Sequence, residues 1–128
     1  MASPPNAHTA PELRPENHLP LPAATFHILL ALADGERHGY AVMREVSERT
    51  GGAVRLGAGT LYGALKRLLE SGLVAEAGER ADAALGDERR RYYRLTPFGR
   101  AVARAEAQRL DRLVQVARRT RLLGPEPA

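Results

Sequence analysis

Two groups of basic residues carry the chemistry for which this sequence is best equipped, the binding of phosphate groups and of base edges. The first group is Lys66 and Arg67, which follow Thr60 and Tyr62 in the segment GTLYGALKRLL. The second group is a run of three arginines, Arg89, Arg90 and Arg91. Because a guanidinium forms paired hydrogen bonds with phosphate and with guanine, both groups suit a nucleic-acid partner.

The overall charge permits such a partner without requiring one. The 128 residues include 19 of lysine or arginine and 15 of aspartate or glutamate, so the formal net charge is +4. A surplus of this size also fits an ordinary solvated surface. Asp87-Glu88, directly before the arginine run, could neutralise that run through local ion pairs. Charge alone therefore favours nucleic-acid binding only slightly.

Residues suited to metal or cofactor chemistry are scarce. The sequence has no cysteine, which excludes a disulfide and any thiolate metal site. His27 and His38 are the only histidines inside the predicted fold, and neither belongs to a motif spaced for metal binding. We expect His38 to cap or pack against the start of a helix, and we expect no metal and no cofactor.

Catalytic and membrane functions are not indicated. Ser47 and Ser71 lack the G-x-S-x-G setting of an activated serine, and no P-loop or Rossmann glycine pattern occurs. No apolar run approaches the roughly 20 residues that span a bilayer. We therefore expect a cytoplasmic protein without enzymatic activity.

The elements that must position the basic groups follow from periodicity and from helix-terminating residues. Helices are predicted where apolar residues recur at helical spacing between glycines or prolines. Strands are predicted where branched and aromatic residues dominate a short segment. The predicted order is helix (23–34), helix (39–50), short strand (54–56), helix (60–71), strand (73–77), polar loop (78–88), strand (90–95) and a long helix from an N-cap at Thr96 to about residue 123.

The pattern within the helices predicts which faces are buried. In the second helix the apolar stripe is Tyr40, Val42, Met43 and Val46. In the third helix the inward stripe is Leu61, Leu65, Leu68 and Leu69, and the opposite face carries Tyr62, Gly63, Lys66 and Arg67. Two helices, a short connection, a third helix with a polar outer face and a hairpin form a mainly α, winged helix-turn-helix layout. In that layout the third helix enters the major groove and the hairpin, or wing, straddles the adjacent backbone.

Three sequence elements give a specific resemblance to a known family. They are HGYA at 38–41, GTLYGALKRL at 59–68 followed by GLV at 72–74, and RYYRLT at 91–96 with Gly99. In this order and spacing they resemble the PadR family of transcriptional regulators, over about residues 21–123. The resemblance implies a homodimeric bacterial repressor that reads a palindromic promoter site, with Tyr62 facing the operator. It also implies that the C-terminal helix builds the dimer together with the first helix.

The chain is similar to the short-tailed members of that family and departs from the family pattern at Gly63. Relatives usually carry a larger residue or proline there. A glycine inside a helix costs about 0.5–1 kcal/mol relative to alanine. Gly63 either permits a close approach to the DNA backbone or has no functional consequence.

These considerations give a predicted organisation and two predicted sites. Residues 1–19 form a disordered proline-rich arm, 20–96 the winged-helix DNA-binding domain, 97–123 a C-terminal dimerisation helix, and 124–128 a tail. The last helix carries an apolar stripe that so small a domain cannot cover alone. The predicted DNA-binding residues are Thr60, Tyr62, Lys66, Arg67, Arg89, Arg90 and Arg91. The predicted dimer interface is Phe26, Leu30, Val102, Leu110, Leu113, Val114 and Ala117.

Two other functions fit the same sequence. A winged-helix module can bind protein through the outer face of the third helix, because a fold does not fix a function. A small-molecule sensor is the second alternative, with an inducer of unknown identity in the apolar space between the first and last helices. Heparin binding and a steep salt dependence with DNA would separate the DNA-binding protein from the protein-docking module.

Overall fold

Four helices and three strands make up the part of the protein that the computed structural model describes, residues 14–81 and 89–127. A 3₁₀ turn at Pro15–His18 precedes them. In chain order the elements are α1 (Ala23–Ala31), β1 (Arg37–His38), α2 (Gly39–Arg49), α3 (Ala58–Glu70), β2 (Val74–Ala81), β3 (Arg89–Leu95) and α4 (Pro97–Arg119). This order confirms the predicted fold class, mainly α with three helices, a β-hairpin wing and a long C-terminal helix.

The hydrophobic core lies between α1, α2, α3 and the first half of α4. In α3 the predicted inward residues Leu61, Leu65 and Leu68 are buried, and Leu69 packs at the edge of the core. Tyr40 is an exception, because we predicted it in the buried stripe of α2 and its side chain is 46% exposed. The buried stripe of α3 holds the opposite face of this helix toward solvent.

The three strands form an antiparallel sheet in the order β1-β3-β2. β1 pairs with β3 through Arg37 opposite Tyr93 and His38 opposite Tyr92. The pairing of β2 with β3 is irregular between Glu76 and Glu79, where β2 has one more residue than β3. Gly78 lies in this bulge with φ +95°, a conformation that favours glycine, so the bulge bends the wing at a defined position.

The short strand predicted at residues 54–56 is wrong. That segment belongs to no strand, and Val54 donates its N–H to Thr50 Oγ1 at 3.0 Å. The additional strand of the sheet is Arg37–His38, which lacks any strand pattern in the sequence because it has two polar residues. It forms through pairing with β3 and not through intrinsic preference.

The N-cap predicted for α4 is confirmed. Thr96 Oγ1 accepts the N–H of Gly99 at 2.9 Å and donates to the carbonyl of Gly72 at 2.6 Å. The helix ends at Arg119, four residues before the predicted end, and the chain leaves it through Arg121 at φ 64°. None of the helices in residues 14–81 and 89–127 combines the length and apolar character that a membrane span requires.

The expectation that residues 1–19 form an arm without structure is wrong for its last part. Pro15–His18 forms the 3₁₀ turn, and the ring of His18 meets the ring of Phe98 edge-on at 5.4 Å. Leu19 packs against the core. Residues 1–13 lie outside the described part of the chain. The segment from Pro15 onward is therefore attached to α4.

The C-terminal end of α1 is held by three arginines that the sequence did not single out. Carbonyl groups at a helix end lack partners within the helix, and cations are favourable there. Each arginine comes from a different element, so α1 is fixed against β1, α2 and α4 together. Arg37 Nε donates to the Ala31 carbonyl (2.7 Å), Arg49 Nη1 to Leu30 (3.1 Å) and Arg100 Nη2 to Ala33 (2.9 Å).

Candidate nucleic-acid interface

The outer face of α3, defined by Thr60, Tyr62, Lys66 and Arg67, is exposed to solvent. All four residues were predicted to bind DNA, and the structure brings them together opposite the buried stripe. Within the described part of the chain, Lys66 and Arg67 form no ion pair with an acidic side chain. Two uncompensated cations and an aromatic ring thus project from one exposed helix face.

The ring of Tyr62 rests on the first turn of α2 and does not extend freely. A Cβ atom placed on Gly39 would lie only 2.4 Å from the Tyr62 hydroxyl oxygen. The side chain is 47% exposed, so about half of it is buried against the start of α2. Tyr62 is held on one side and open on the other.

Gly63 has no packing role within the chain. A Cβ at this position would meet only Arg67 Nη1, at an ordinary contact distance of 3.7 Å. Nothing in the structure explains the glycine.

The arginines of the wing, the hairpin formed by β2 and β3, are partly neutralised by glutamates of β2. Arg91 Nε lies 2.9 Å from Glu76 Oε1, and Arg89 Nε lies 4.0 Å from Glu79 Oε2. These pairs are exposed, so they are worth little and can exchange for phosphate. Arg90 lies half-buried between them along β3. Acidic residues do neutralise the arginine run, but the partners seen are Glu76 and Glu79 of β2, while Asp87-Glu88 lie outside the described residues.

A cluster of aromatic and charged side chains fixes the base of the wing. His38 Nδ1 accepts the N–H of Ala41 at 3.1 Å, so the predicted capping role of His38 is confirmed. The His38 ring meets Tyr92 edge-on at 5.3 Å, and the guanidinium of Arg80 covers Tyr92 at 4.1 Å. Arg80 is also paired with Glu36. The wing is thereby connected to the first turn of α2.

Burial in the sheet also changes the pKa of Tyr93 on β3. The pKa of Tyr93 is raised above the ordinary value for tyrosine, mainly because burial disfavours the phenolate, while the neighbouring Arg91 opposes the change. Tyr93 therefore stays neutral and serves as a core residue beneath the wing.

The second half of α4 has an apolar face that this chain leaves uncovered. The buried residues of α4 end at Glu106. Beyond it, Leu113 is 54% exposed and Val114 is also exposed, while Leu110 and Ala117 are half-buried. Three more apolar residues in this part of the chain are exposed, Val116 on α4 and Leu122 and Leu123 beyond its end.

The prediction that Val102 belongs to the dimer interface is wrong. Val102 is fully buried in the core of its own chain, because it lies on the face of α4 that packs against α1. It has no surface to offer a partner. Phe26 and Leu30 of α1 are half-buried at the edge of that contact and remain partly accessible.

The model of the transcriptional regulator PadR-like family matches residues 28–105, which include α2, α3 and the whole wing. The chain belongs to the PadR-like family. This membership confirms the resemblance noted in the sequence and the prediction that the protein is a transcriptional regulator and not an enzyme.

The match to this PadR-like chain covers most of one relative and only a small part of another. A transcriptional regulator of Mycobacterium tuberculosis is 36% identical over 93 residues, which are 73% of this chain and 80% of that protein. An uncharacterised 37.1 kDa protein in transposon Tn4556 of Streptomyces fradiae is 42% identical over 86 residues, 67% of this chain. The match covers only 22% of the Streptomyces protein, so the chain spans about a fifth of that relative.

Solved structures agree with the PadR-like fold. A PadR family regulator from Clostridium difficile has a TM-score of 0.62 and 26% identity, and the match covers 75% of this chain and 95% of that one. The PadR of Bacillus subtilis, solved in complex with operator DNA, has a TM-score of 0.53 and 20% identity over 84% of this chain and 50% of its own. At that identity the second similarity concerns the fold alone.

A cleft lies between α1 and α4 of this PadR-like chain. Its volume is about 400 Å³. The buried carboxylate of Glu106 forms its polar end, with Arg109 Nε at 2.6 Å and Nη2 at 3.0 Å and the N–H of Leu21 at 3.2 Å. The hydrogen bonds from Arg109 hold the pKa of Glu106 below the ordinary value for glutamate, although burial opposes them. The lining residues are Leu21, Ala23, Phe26, His27, Leu30, Glu106, Arg109 and Leu110.

Proposed function

We propose that this chain is a sequence-specific DNA-binding regulator that reads the major groove with α3 and contacts the backbone with the wing. The observation that carries the proposal is the outer face of α3, where Tyr62, Lys66 and Arg67 are exposed and the two cations lack ion pairs within the described residues. An α-helix fits the major groove, where every base pair presents a distinct pattern of donors and acceptors. Family membership supports the same use of this helix.

The side chains divide into two expected roles. Lys66 on α3 and Arg91 on the wing are assigned to phosphate, where they position the protein. Tyr62 and Arg67 are assigned to base edges, and Thr60 at the start of α3 contacts DNA beside them. The glutamate partners of Arg89 and Arg91 are released when phosphate replaces them, a small loss because the pairs are exposed.

The active species in this proposal is a homodimer on a palindromic promoter site. The uncovered apolar face of α4, with Leu110, Leu113, Val114 and Ala117, supports it, since exposed patches of this kind mark interfaces. Two-fold symmetry would place the two α3 helices about 34 Å apart, one turn of DNA. Binding there would repress transcription by occluding the promoter, in the cytoplasm where the DNA is.

A small-molecule response is the second candidate function. The cleft between α1 and α4 supports it, because a volume of about 400 Å³ lies within the range of ligand sites and adjoins the uncovered face of α4. An inducer bound there would change the separation of the two α3 helices and release the operator. The identity of the inducer is not specified by the cleft.

Alanine variants of Tyr62, Lys66, Arg67 and Arg91 test the proposal on a DNA fragment that the wild-type protein selects. Loss of Lys66 or Arg91 should weaken binding to all sequences alike and reduce the salt slope by about 0.9 for each phosphate contact. Loss of Tyr62 or Arg67 should cost about 1–3 kcal/mol on the selected fragment only. Arg112→Ala, on the exposed side of α4, is a matched control that removes one charge away from the interface.

If all four variants bind as the wild type does, with an unchanged salt dependence, α3 does not read DNA. The protein-docking function of the outer face of α3 would then be the better account.

A further inference from the structure

We infer that Gly39 is a positioning residue for Tyr62, because the bare backbone at the start of α2 forms the seat on which the tyrosine ring is held for DNA. This inference rests on the proposed function, and it assigns a role to the HGY segment that DNA contact by α3 leaves unexplained. The ligand is the same DNA, and Gly39 acts on how well Tyr62 discriminates between DNA sequences.

The contact between Gly39 and Tyr62 is so close that a Cβ atom at position 39 would displace the end of the tyrosine ring. A Cβ atom on Gly39 would lie 2.4 Å from the Tyr62 hydroxyl oxygen, 2.7 Å from Cζ and 3.0 Å from Cε1. Distances this short are not tolerated, so the outer end of the ring would have to move. Gly39 is buried beneath the ring, whereas the other side of Tyr62 faces solvent.

The backbone itself does not require glycine at this position. Gly39 is not among the glycines with positive φ, and it is the first residue of α2. Alanine is the better helix former, so local preference would favour replacing the glycine. The space taken by the Tyr62 ring is the remaining reason for a residue without a side chain.

The seat is rigid because the residues around it are fixed. His38 pairs with Tyr92 in the sheet and caps α2 through the N–H of Ala41. The corner where β1 becomes α2 is thus attached to the wing, and Tyr62 connects that corner to α3. A side chain held in this way loses little freedom when DNA binds, which favours affinity by about 2- to 10-fold over a mobile one.

A double-mutant cycle with Gly39→Ala and Tyr62→Ala tests the inference. We expect Gly39→Ala to weaken binding to the selected operator fragment by about 5-fold or more, toward the loss caused by Tyr62→Ala. Affinity for unrelated DNA and the salt slope should stay unchanged. With Tyr62→Ala already present, Gly39→Ala should have no further effect, because the space is then empty. That background is the matched control for any effect of alanine on α2 itself.

A measurement without DNA tests the geometry directly. In the wild-type protein, NMR cross-peaks should connect the Hα protons of Gly39 with the ring protons of Tyr62, and Gly39→Ala should shift the Tyr62 ring signals but not those of Phe98, which lies against His18. Absence of the cross-peaks in the wild type would overturn the inference even if the variant failed to fold.

The outcomes separate this inference from the proposed function. If Tyr62→Ala weakens operator binding and Gly39→Ala does not, Gly39 is no positioning residue while α3 remains the reading helix. If the effects of the two substitutions simply add, the conclusion is the same, because Gly39 then does not act through Tyr62. If Tyr62→Ala itself has no effect, the base-reading role of Tyr62 and the role of Gly39 both fail.

Discussion

Gly99 packs directly against the backbone of Leu73, and replacing it with alanine should destabilise the whole fold. A Cβ at Gly99 would lie 1.9 Å from the Leu73 carbonyl oxygen and 2.8 Å from its carbon. Both atoms belong to the backbone, so they cannot rotate away. The first turn of α4 therefore has to move away from the start of the hairpin.

The expected loss can be worked out from this contact. A carbon atom needs about 3.5 Å, so the two segments must separate by roughly 1.6 Å. Overpacking of this kind costs about 1–3 kcal/mol. The separation also weakens the bonds from Thr96 to the carbonyls of Leu73 (3.1 Å) and Gly72 (2.6 Å), worth about 1 kcal/mol each. Because alanine recovers only about 0.5–1 kcal/mol of helix preference, the net loss should be about 2–4 kcal/mol.

Urea unfolding followed by circular dichroism measures this loss. Gly63→Ala is the matched control, since its Cβ would meet only Arg67 Nη1 at 3.7 Å. We expect the control to be stabilised by about 0.5–1 kcal/mol. A Gly99→Ala protein as stable as the control would refute the packing argument.

Three further predictions concern α4 and the segment before α1. Leu113→Asp should produce monomers or aggregates in analytical ultracentrifugation, because a charge would enter the uncovered face of α4; a dimer of unchanged stability would remove that interface. A protein that begins at Leu19 should melt a few degrees below one that begins at Arg14. The shorter protein loses the contact of His18 with Phe98, which is worth about 0.5–1.5 kcal/mol. Equal melting temperatures would show that the 3₁₀ turn contributes nothing to stability. Because the pKa of Glu106 is lowered in the folded state, its charge stabilises the fold above the ordinary glutamate pKa near 4.5, and this stability is lost as the pH falls through the lower folded value. Glu106→Gln should therefore be less stable than the wild type at pH 7, with a difference in urea midpoint that shrinks in acid; a constant difference would contradict the assignment.

The sequence predicted those features that depend on local pattern. The leucines of α3 recur at helical spacing, so Leu61, Leu65 and Leu68 and the exposed face opposite them could be assigned before the structure. The cap at Thr96 follows from a threonine before proline, and the capping role of His38 was also expected.

Features that depend on tertiary contacts could not be predicted in the same way. β1 exists only because β3 lies beside it, and Val102 is buried because the first half of α4 packs on the core while the second half does not. The 3₁₀ turn at Pro15–His18 has a composition typical of disorder, but α4 offers it a surface. Only the structure shows that Gly39 and Tyr62 touch, since 23 positions separate them in the sequence.

Sequencing the DNA fragments that the purified full-length protein retains from its own genome tests the central claim most directly. We expect the retained fragments to share a palindromic motif whose half-sites lie about 10–10.5 base pairs apart, as two α3 helices of a symmetric dimer require. The Arg67→Ala protein should retain a broader set in which one position of each half-site is relaxed. Retention of random fragments by the wild type, or of none at physiological salt, would contradict the account.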